Sequence, residues 1–198
     1  MITRVLGVLG IVGGLILVAG FVPALPWEYD AFNLRLVLFN LGAMAVVVGV
    51  IRHAGRRVRP WAIAIAIAAL LANGWYLVMV LLSIGRPVFP APDAEFRPIF
   101  FYAAIALWLT DAAFGFAAAR LGAVHRLPAL ALGFGALLAL TGLGGLGFTT
   151  GPLANLVGPL SLIGIALVGL GWIGMGTELV RPRADRIGQA NPAGLPVV

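Results

Sequence analysis

The sequence predicts an all-α integral membrane protein, a bundle of six transmembrane helices with both termini in the cytoplasm. Three observations carry this. The 198-residue chain is 62% hydrophobic and only 10% charged, where a soluble domain averages about 25% charged residues, and its mean hydropathy is +1.07. Its apolar residues gather into six runs of a length suited to a hydrocarbon layer ~30 Å thick, at about 1.5 Å per helical residue. Its basic residues, all arginine, collect in alternate connections between the runs.

The first helix is expected at about 5–25, an apolar run after the short polar start Met1–Arg4. A signal peptide has an apolar core of only ~7–15 residues followed by a small-residue cleavage site. This run is longer, and Val22–Trp27 (VPALPW) matches such a site poorly, so the run is read as an uncleaved span. Gly10 and Gly14 form a GxxxG pair suited to close helix packing. The polar connection 26–33 (PWEYDAFN) carries Trp27 and Tyr29, residues of the kind that anchor at the membrane interface. The second helix is expected at 34–51, with Asn33 and Asn40 on one face. Arg52–Arg59 (RHAGRRVR) is a short basic loop, better suited to a cytoplasmic anchor than to nucleic acid. The third helix, 60–82, opens with Pro60 in a position that tolerates proline and carries Asn73 and Tyr76 three residues apart. A proline-rich loop to Pro98 holds Asp93 and Glu95, two carboxylates without a third ligand and therefore read as solvated.

The fourth helix, 98–120, is the apolar stretch that contains Asp111. The fifth is expected at 128–148. Its glycines 142, 144, 145 and 147 lack the Gly-Lys-Ser/Thr ending and the preceding strand of a phosphate-binding loop. The sixth is expected at 153–180, with Pro159 near its start. Residues 1–180 thus read as a single six-helix transmembrane domain and 181–198 as a polar cytoplasmic tail expected to be disordered. Hairpins at the two ends look related: at one offset Asn33, Leu34, Leu38, Gly42, Val46 and Gly49 match Asn155, Leu156, Leu160, Gly164, Val168 and Gly171; a duplication would make this a parallel repeat, but Gly and Leu are so common here that chance matching is the expected source.

With six spans, Arg4, Arg52, Arg56, Arg57, Arg59, Arg120, Arg126, Arg181, Arg183 and Arg186 fall on one side. Arg35, Arg86 and Arg97 fall on the other, with Glu28, Asp30, Asp93 and Glu95. Arginine enrichment marks the cytoplasmic side, so both termini are expected inside. The arginine-only, Ala/Gly-rich composition points to a GC-rich prokaryote and hence to its plasma membrane.

Asp111 is the one ionisable residue deep within an apolar run. It lies about 13 Å from the Arg120 end of its helix, and an acid at such depth costs about 2.5–3.5 kcal/mol on insertion scales, so it should face protein rather than lipid. Ala104, Leu107, Trp108, Gly115 and Ala118 share its face; Tyr102, Ile105, Leu109 and Phe116 lie opposite. The candidate polar or proton site is Asp111 with Asn40, Asn73 and Tyr76, walled by Trp75 and Trp108. By depth, Asn40 is expected to meet Asp111 directly if helices two and four adjoin, with Asn73 and Tyr76 a turn further out.

Composition excludes several chemistries. Without cysteine there is no disulfide or thiol redox, and without lysine no retinal Schiff base. His53 and His125 are expected in loops, which leaves no paired histidines for a membrane haem. Ser83 and Ser161 lack a histidine, and Asp111 lacks a second deep acid, so no catalytic constellation, metal site or cofactor site is expected. The expected function is that of a non-enzymatic accessory, regulatory or sensor component. The alternative is a transporter or channel for a small solute, cation or proton built on Asp111 and its asparagine neighbours. The expected partners are the lipid bilayer and other membrane proteins or further copies of the chain, not nucleic acid.

Overall fold

The structure, a computed structural model, describes residues 1–20, 29–55, 58–82, 97–145 and 154–181. They form six helices: α1 (Ile2–Gly20), α2 (Tyr29–Ala54), α3 (Pro60–Leu82), α4 (Arg97–Leu121), α5 (Arg126–Gly145) and α6 (Ala154–Val180). There are no strands among the described residues. Five helices are long and apolar enough to cross a membrane; the exception is α5, whose apolar stretch runs over Arg126–Gly142. The expected Trp27 anchor, the 83–96 loop with its carboxylates, Arg56, Arg57 and the tail beyond Arg181 lie outside the described residues.

Each helix packs on its neighbours in sequence, and α6 returns to α1, so the six close into an up-and-down ring. In addition, α2 touches α6 and α4. The ring closes tightly because its seams are lined with glycine. A methyl group at Gly7 would lie 2.6 Å from the Gly176 carbonyl oxygen, and one at Gly14 would lie 2.7 Å from that of Gly169, along α1 and α6. One at Gly13 would lie 3.0 Å from the Gly42 Cα, between α1 and α2. Such backbone approach yields dispersion contact that lipid tails cannot match, which is the main attraction available between apolar helices in a bilayer. The exception is α3. It buries alanine rather than glycine (Ala62, Ala66, Ala69 and Ala72), and its interfaces with α2 and α4 are the least extensive along the ring.

Because Gly7 adjoins Leu179 and Val180, the start of α1 and the end of α6 stand side by side at one end of the bundle. By alternation, the same end carries Arg52, Arg59, Arg120 and Arg126. Two turns there are made by glycines with positive φ just beyond a helix, Gly55 (55°) after α2 and Gly122 (62°) after α4, the left-handed cap that only glycine adopts without a Cβ penalty. His53 lies in the last turn of α2, not in a loop. His125 precedes α5, and its Nδ1 accepts from the Leu127 amide at 3.3 Å, which caps the helix.

The two end hairpins use their matched residues alike. Gly42 of α2 meets α1 at Gly13, and Gly164 of α6 meets α5 at Gly135. The offset that matches the two hairpins in sequence carries one contact onto the other. Val46 and Val168 are both fully buried. The outside of the bundle is apolar: Leu71, Tyr102 and Leu109 are among many large side chains left half-exposed or more, as suits a surface that meets lipid.

Candidate functional site

The interior of the ring holds three buried polar side chains among the described residues, Asn40 of α2, Asn73 of α3 and Asp111 of α4, each 0% exposed. The helix face read from sequence is the one that turns inward: Ala104, Leu107, Gly115 and Ala118 are buried with Asp111, while Tyr102 and Leu109 are exposed.

Asp111 meets Asn73. The Asn73 Nδ2 donates to Asp111 Oδ1 at 3.0 Å and also to the Ala69 carbonyl, one turn back, at 2.9 Å. This reverses the expected order, in which Asn40 was the nearer partner. The ring places α3 beside α4 along its length, whereas α2 reaches α4 only narrowly. Neither the adjacency of the helices nor their relative height was legible in the sequence: counting from the helix ends put Asn73 a turn further out than Asp111, and the two meet. Asn40 donates instead to its own helix, from Nδ2 to the Leu36 carbonyl at 2.7 Å.

These donor contacts orient both carboxamides. A backbone carbonyl can only accept, so the amide nitrogen must face it, and the side-chain oxygen is turned the other way. Neither Asn40 Oδ1 nor Asn73 Oδ1 has a hydrogen-bond partner, and nor does Asp111 Oδ2. The balance of energies is adverse. A membrane side-chain hydrogen bond contributes about 0.6 kcal/mol on average, whereas each unsatisfied buried acceptor costs about 1–3 kcal/mol.

Asn73 and Asp111 lie at one level, since a hydrogen bond joins them. The buried apolar side chains form two clusters. The smaller joins α2, α3 and α4 through Leu36, Tyr76, Met79, Val80, Ala103, Ala104 and Leu107. The larger includes Phe39 and Ala43 of α2, Ala66 and Ala69 of α3, and Ala112 and Phe114 of α4. On α3 and α4 the polar residue stands between a member of one cluster and a member of the other: Tyr76, Asn73, Ala69; Leu107, Asp111, Ala112. On α2 Asn40 is flanked by Phe39 and Ala43, both of the larger cluster. Trp108 packs against both clusters. A polar seam of Asn73 and Asp111 therefore divides the apolar interior between α3 and α4.

Of the remaining site residues, Tyr76 belongs to the smaller cluster, where its ring packs on Phe100 with centroids 5.2 Å apart. No hydrogen bond joins it to the three polar residues. Trp108 does wall the seam, but Trp75 is exposed on the outside of α3 and does not. Sequence reading missed Trp172 of α6. It is fully buried, stacked on Phe114 at 6.0 Å, and its indole Nε1 has no partner. The available signal was its setting: it is the one tryptophan of α6, between Gly169, Gly171, Gly174 and Gly176, where small residues make room for a large one.

Thr110, Thr141 and Thr177 donate to carbonyls of their own helices. Ser161 donates to the Ala139 carbonyl at 3.5 Å. Glu178 pairs with Arg181 at 2.9 Å at the end of α6, away from the seam. No group of three His, Cys, Asp or Glu residues able to hold a metal is present among the described residues. The seam offers acceptor oxygens and a carboxylate, without a nucleophile and base in contact.

Comparison of the chain with family models, with curated proteins and with solved structures returns no match. The fold and seam define its class: a multi-pass helical membrane protein with a carboxylate–carboxamide pair buried between its helices.

Proposed function

We propose that the chain is a non-enzymatic, multi-pass protein of a prokaryotic plasma membrane. It serves as an accessory, regulatory or sensor component alongside other membrane proteins or further copies of itself. The observation that carries this reading is the seam. Asp111 is the one acid buried inside the ring among the described residues, and its partner is a carboxamide rather than a catalytic group. An intramembrane acid is retained at a cost, and such costs are concentrated at functional positions.

In this reading α5 crosses the membrane with the other five helices. Support comes from its close approach to α6 along its length, from Pro128 beside Gly174 to Gly142 beside Ser161. Six crossings put both termini on one side, and the arginines at that end make it the cytoplasmic side by the positive-inside bias. Reporter fusions at Arg56 and at the C-terminus are both expected to read cytoplasmic; an external signal at either refutes the topology. The accessory role is tested by purifying the full chain from its native membrane in mild detergent. A membrane-protein partner in fixed stoichiometry is expected. A chain that purifies alone and by itself catalyses solute flux in vesicles refutes the role and favours a transporter built on Asp111, Asn73, Asn40 and Tyr76.

A further inference from the structure

We propose that Asp111 and Asn73 together form an intramembrane proton site, in which Asp111 holds a proton on Oδ2 and donates it to Asn73 Oδ1. One hydrogen bond already joins the pair, from Asn73 Nδ2 to Asp111 Oδ1 at 3.0 Å. The atoms left over are the second oxygen of each group, Asn73 Oδ1 and Asp111 Oδ2, both on fully buried side chains and both without a partner. Two acceptors cannot bond one another, but a single hydrogen between them satisfies both. A carboxylic acid and a primary carboxamide are complementary in this way, since each is planar and presents a donor beside an acceptor. Joined edge to edge they close a cycle of two hydrogen bonds, and a proton needs no cavity.

Asn73 is held for this role. Its nitrogen has two hydrogens and two acceptors, the Ala69 carbonyl at 2.9 Å and Asp111 Oδ1. The bond to Ala69 prevents nitrogen and oxygen from changing places, so Asn73 Oδ1 stays an acceptor. In the closed cycle the hydrogen on the oxygen's side goes to Asp111 and the other to Ala69. The surroundings supply no positive charge to a bare carboxylate. The α3 helix has no acidic or basic residue, and its Tyr76 is a neutral hydroxyl. On α4 the arginines, Arg97 and Arg120, stand at the two ends, and α5 has Arg126 at its start. On α2, Asp30 and Arg35 lie in the first two turns, and Arg52 and His53 in the last. No hydrogen bond or ion pair joins Asp111 to any of these. A buried charge without a partner is so costly that the group neutralises instead. The proton then ties α4 to α3, the helix with the least extensive interfaces along the ring. Its loss would leave one bond in place of two and set a charged oxygen against the Asn73 carbonyl oxygen.

The test is infrared spectroscopy of the full chain in lipid vesicles at neutral pH. A protonated carboxyl has a C=O stretch distinct from the absorption of carboxylates, and exposed carboxyls are ionised at that pH. One protonated carboxyl per chain is expected. Its band should move when aspartate is labelled with heavy carbon in the side-chain carboxyl, and it should be absent from Asp111→Asn. Asn73→Leu removes both bonds and should shift the band to higher frequency. A wild-type chain with no such band, or with one that labelled aspartate does not move, overturns the proposal. So does a band that persists in Asp111→Asn, or one that Asn73→Leu leaves in place, since the proton is then not given to Asn73. The labelling measurement needs no variant, so a variant that fails to fold does not shield the proposal. The site supplies a ligand for the sensor reading but does not need it: the band reports the proton whether or not the chain has a membrane-protein partner, so the two tests fail separately.

Discussion

Replacing Gly115 with alanine should loosen the whole α4–α5 seam. An added Cβ would lie 2.6 Å from the Gly133 nitrogen, 2.7 Å from the Ala129 carbonyl oxygen and 2.9 Å from the Gly133 Cα. Ordinary contact begins at 3.4 Å, so the two helices must part by about 0.8 Å, the shortfall at the nearest atom. All three atoms are backbone, so no side chain can rotate to yield. Overpacking of this sort costs about 1–3 kcal/mol. For a chain of this size 1 kcal/mol corresponds to about 2–4 °C, so the expected loss is about 2–12 °C. Two controls set the scale. At Gly133 the nearest obstacle is the half-buried Phe116 ring, 2.8 Å away, which can swing aside, so Gly133→Ala should cost less. At Gly74 nothing lies within 4 Å of the added Cβ, so Gly74→Ala should cost nothing and can gain up to ~1 kcal/mol of helix propensity. Thermal unfolding of the three variants in one detergent, followed by tryptophan fluorescence, gives the order. The reasoning is refuted if Gly115→Ala melts with the wild type, or if Gly74→Ala is the least stable of the three.

Three further outcomes are expected. Asn73→Leu should destabilise by about 1–3 kcal/mol, because both Asp111 oxygens are then without a partner; Asp111→Leu should cost less, since Asn73 keeps the Ala69 carbonyl. The double variant should be at least as stable as the wild type, and a double variant weaker than both singles in detergent unfolding would show that the pair stabilises the fold. Trp172→Phe should be close to neutral, because stacking on Phe114 survives and an unpartnered donor is removed. Trp172→Ala should cost about 3–5 kcal/mol through the cavity it leaves; equal losses for the two would mean that the indole N–H has a bound partner. Gly122→Ala should cost about 1–2 kcal/mol, because its φ of 62° places a Cβ against the following carbonyl; an unchanged melting temperature would argue against that turn.

Much of this protein was legible in one dimension. Hydrophobic run length placed α3 at Pro60–Leu82 as expected and most other described helix ends to within three residues, but α2 starts at Tyr29, five residues before the apolar run, because the polar residues 29–33 also wind into the helix. A run of apolar residues reports its own ability to cross a bilayer, because every backbone polar group must be satisfied within the segment. The inward face of α4 was legible too, since periodicity puts Asp111, Ala104, Leu107 and Ala118 on one side whatever packs there. The matched glycines of the end hairpins were visible, although only the ring revealed that Gly42 and Gly164 do the same work against α1 and α5.

What the sequence could not determine was how the helices sit against one another. Helices of similar length and composition can be ordered around a bundle in several ways and shifted along one another, so the partner of Asp111 depends on which surfaces fit. Glycine seams draw α1 to both α2 and α6, α4 to α5 and α5 to α6, and they leave α3 to close the gap between α2 and α4 with alanines. That ordering made Asn73 the partner, turned Trp75 outward and Trp172 inward, and left three buried side-chain oxygens without a hydrogen-bond partner. The composition of the chain determined that it lives in a bilayer. Steric fit between neighbouring helices, a property of pairs of surfaces rather than of any one segment, decided what the buried acid Asp111 touches.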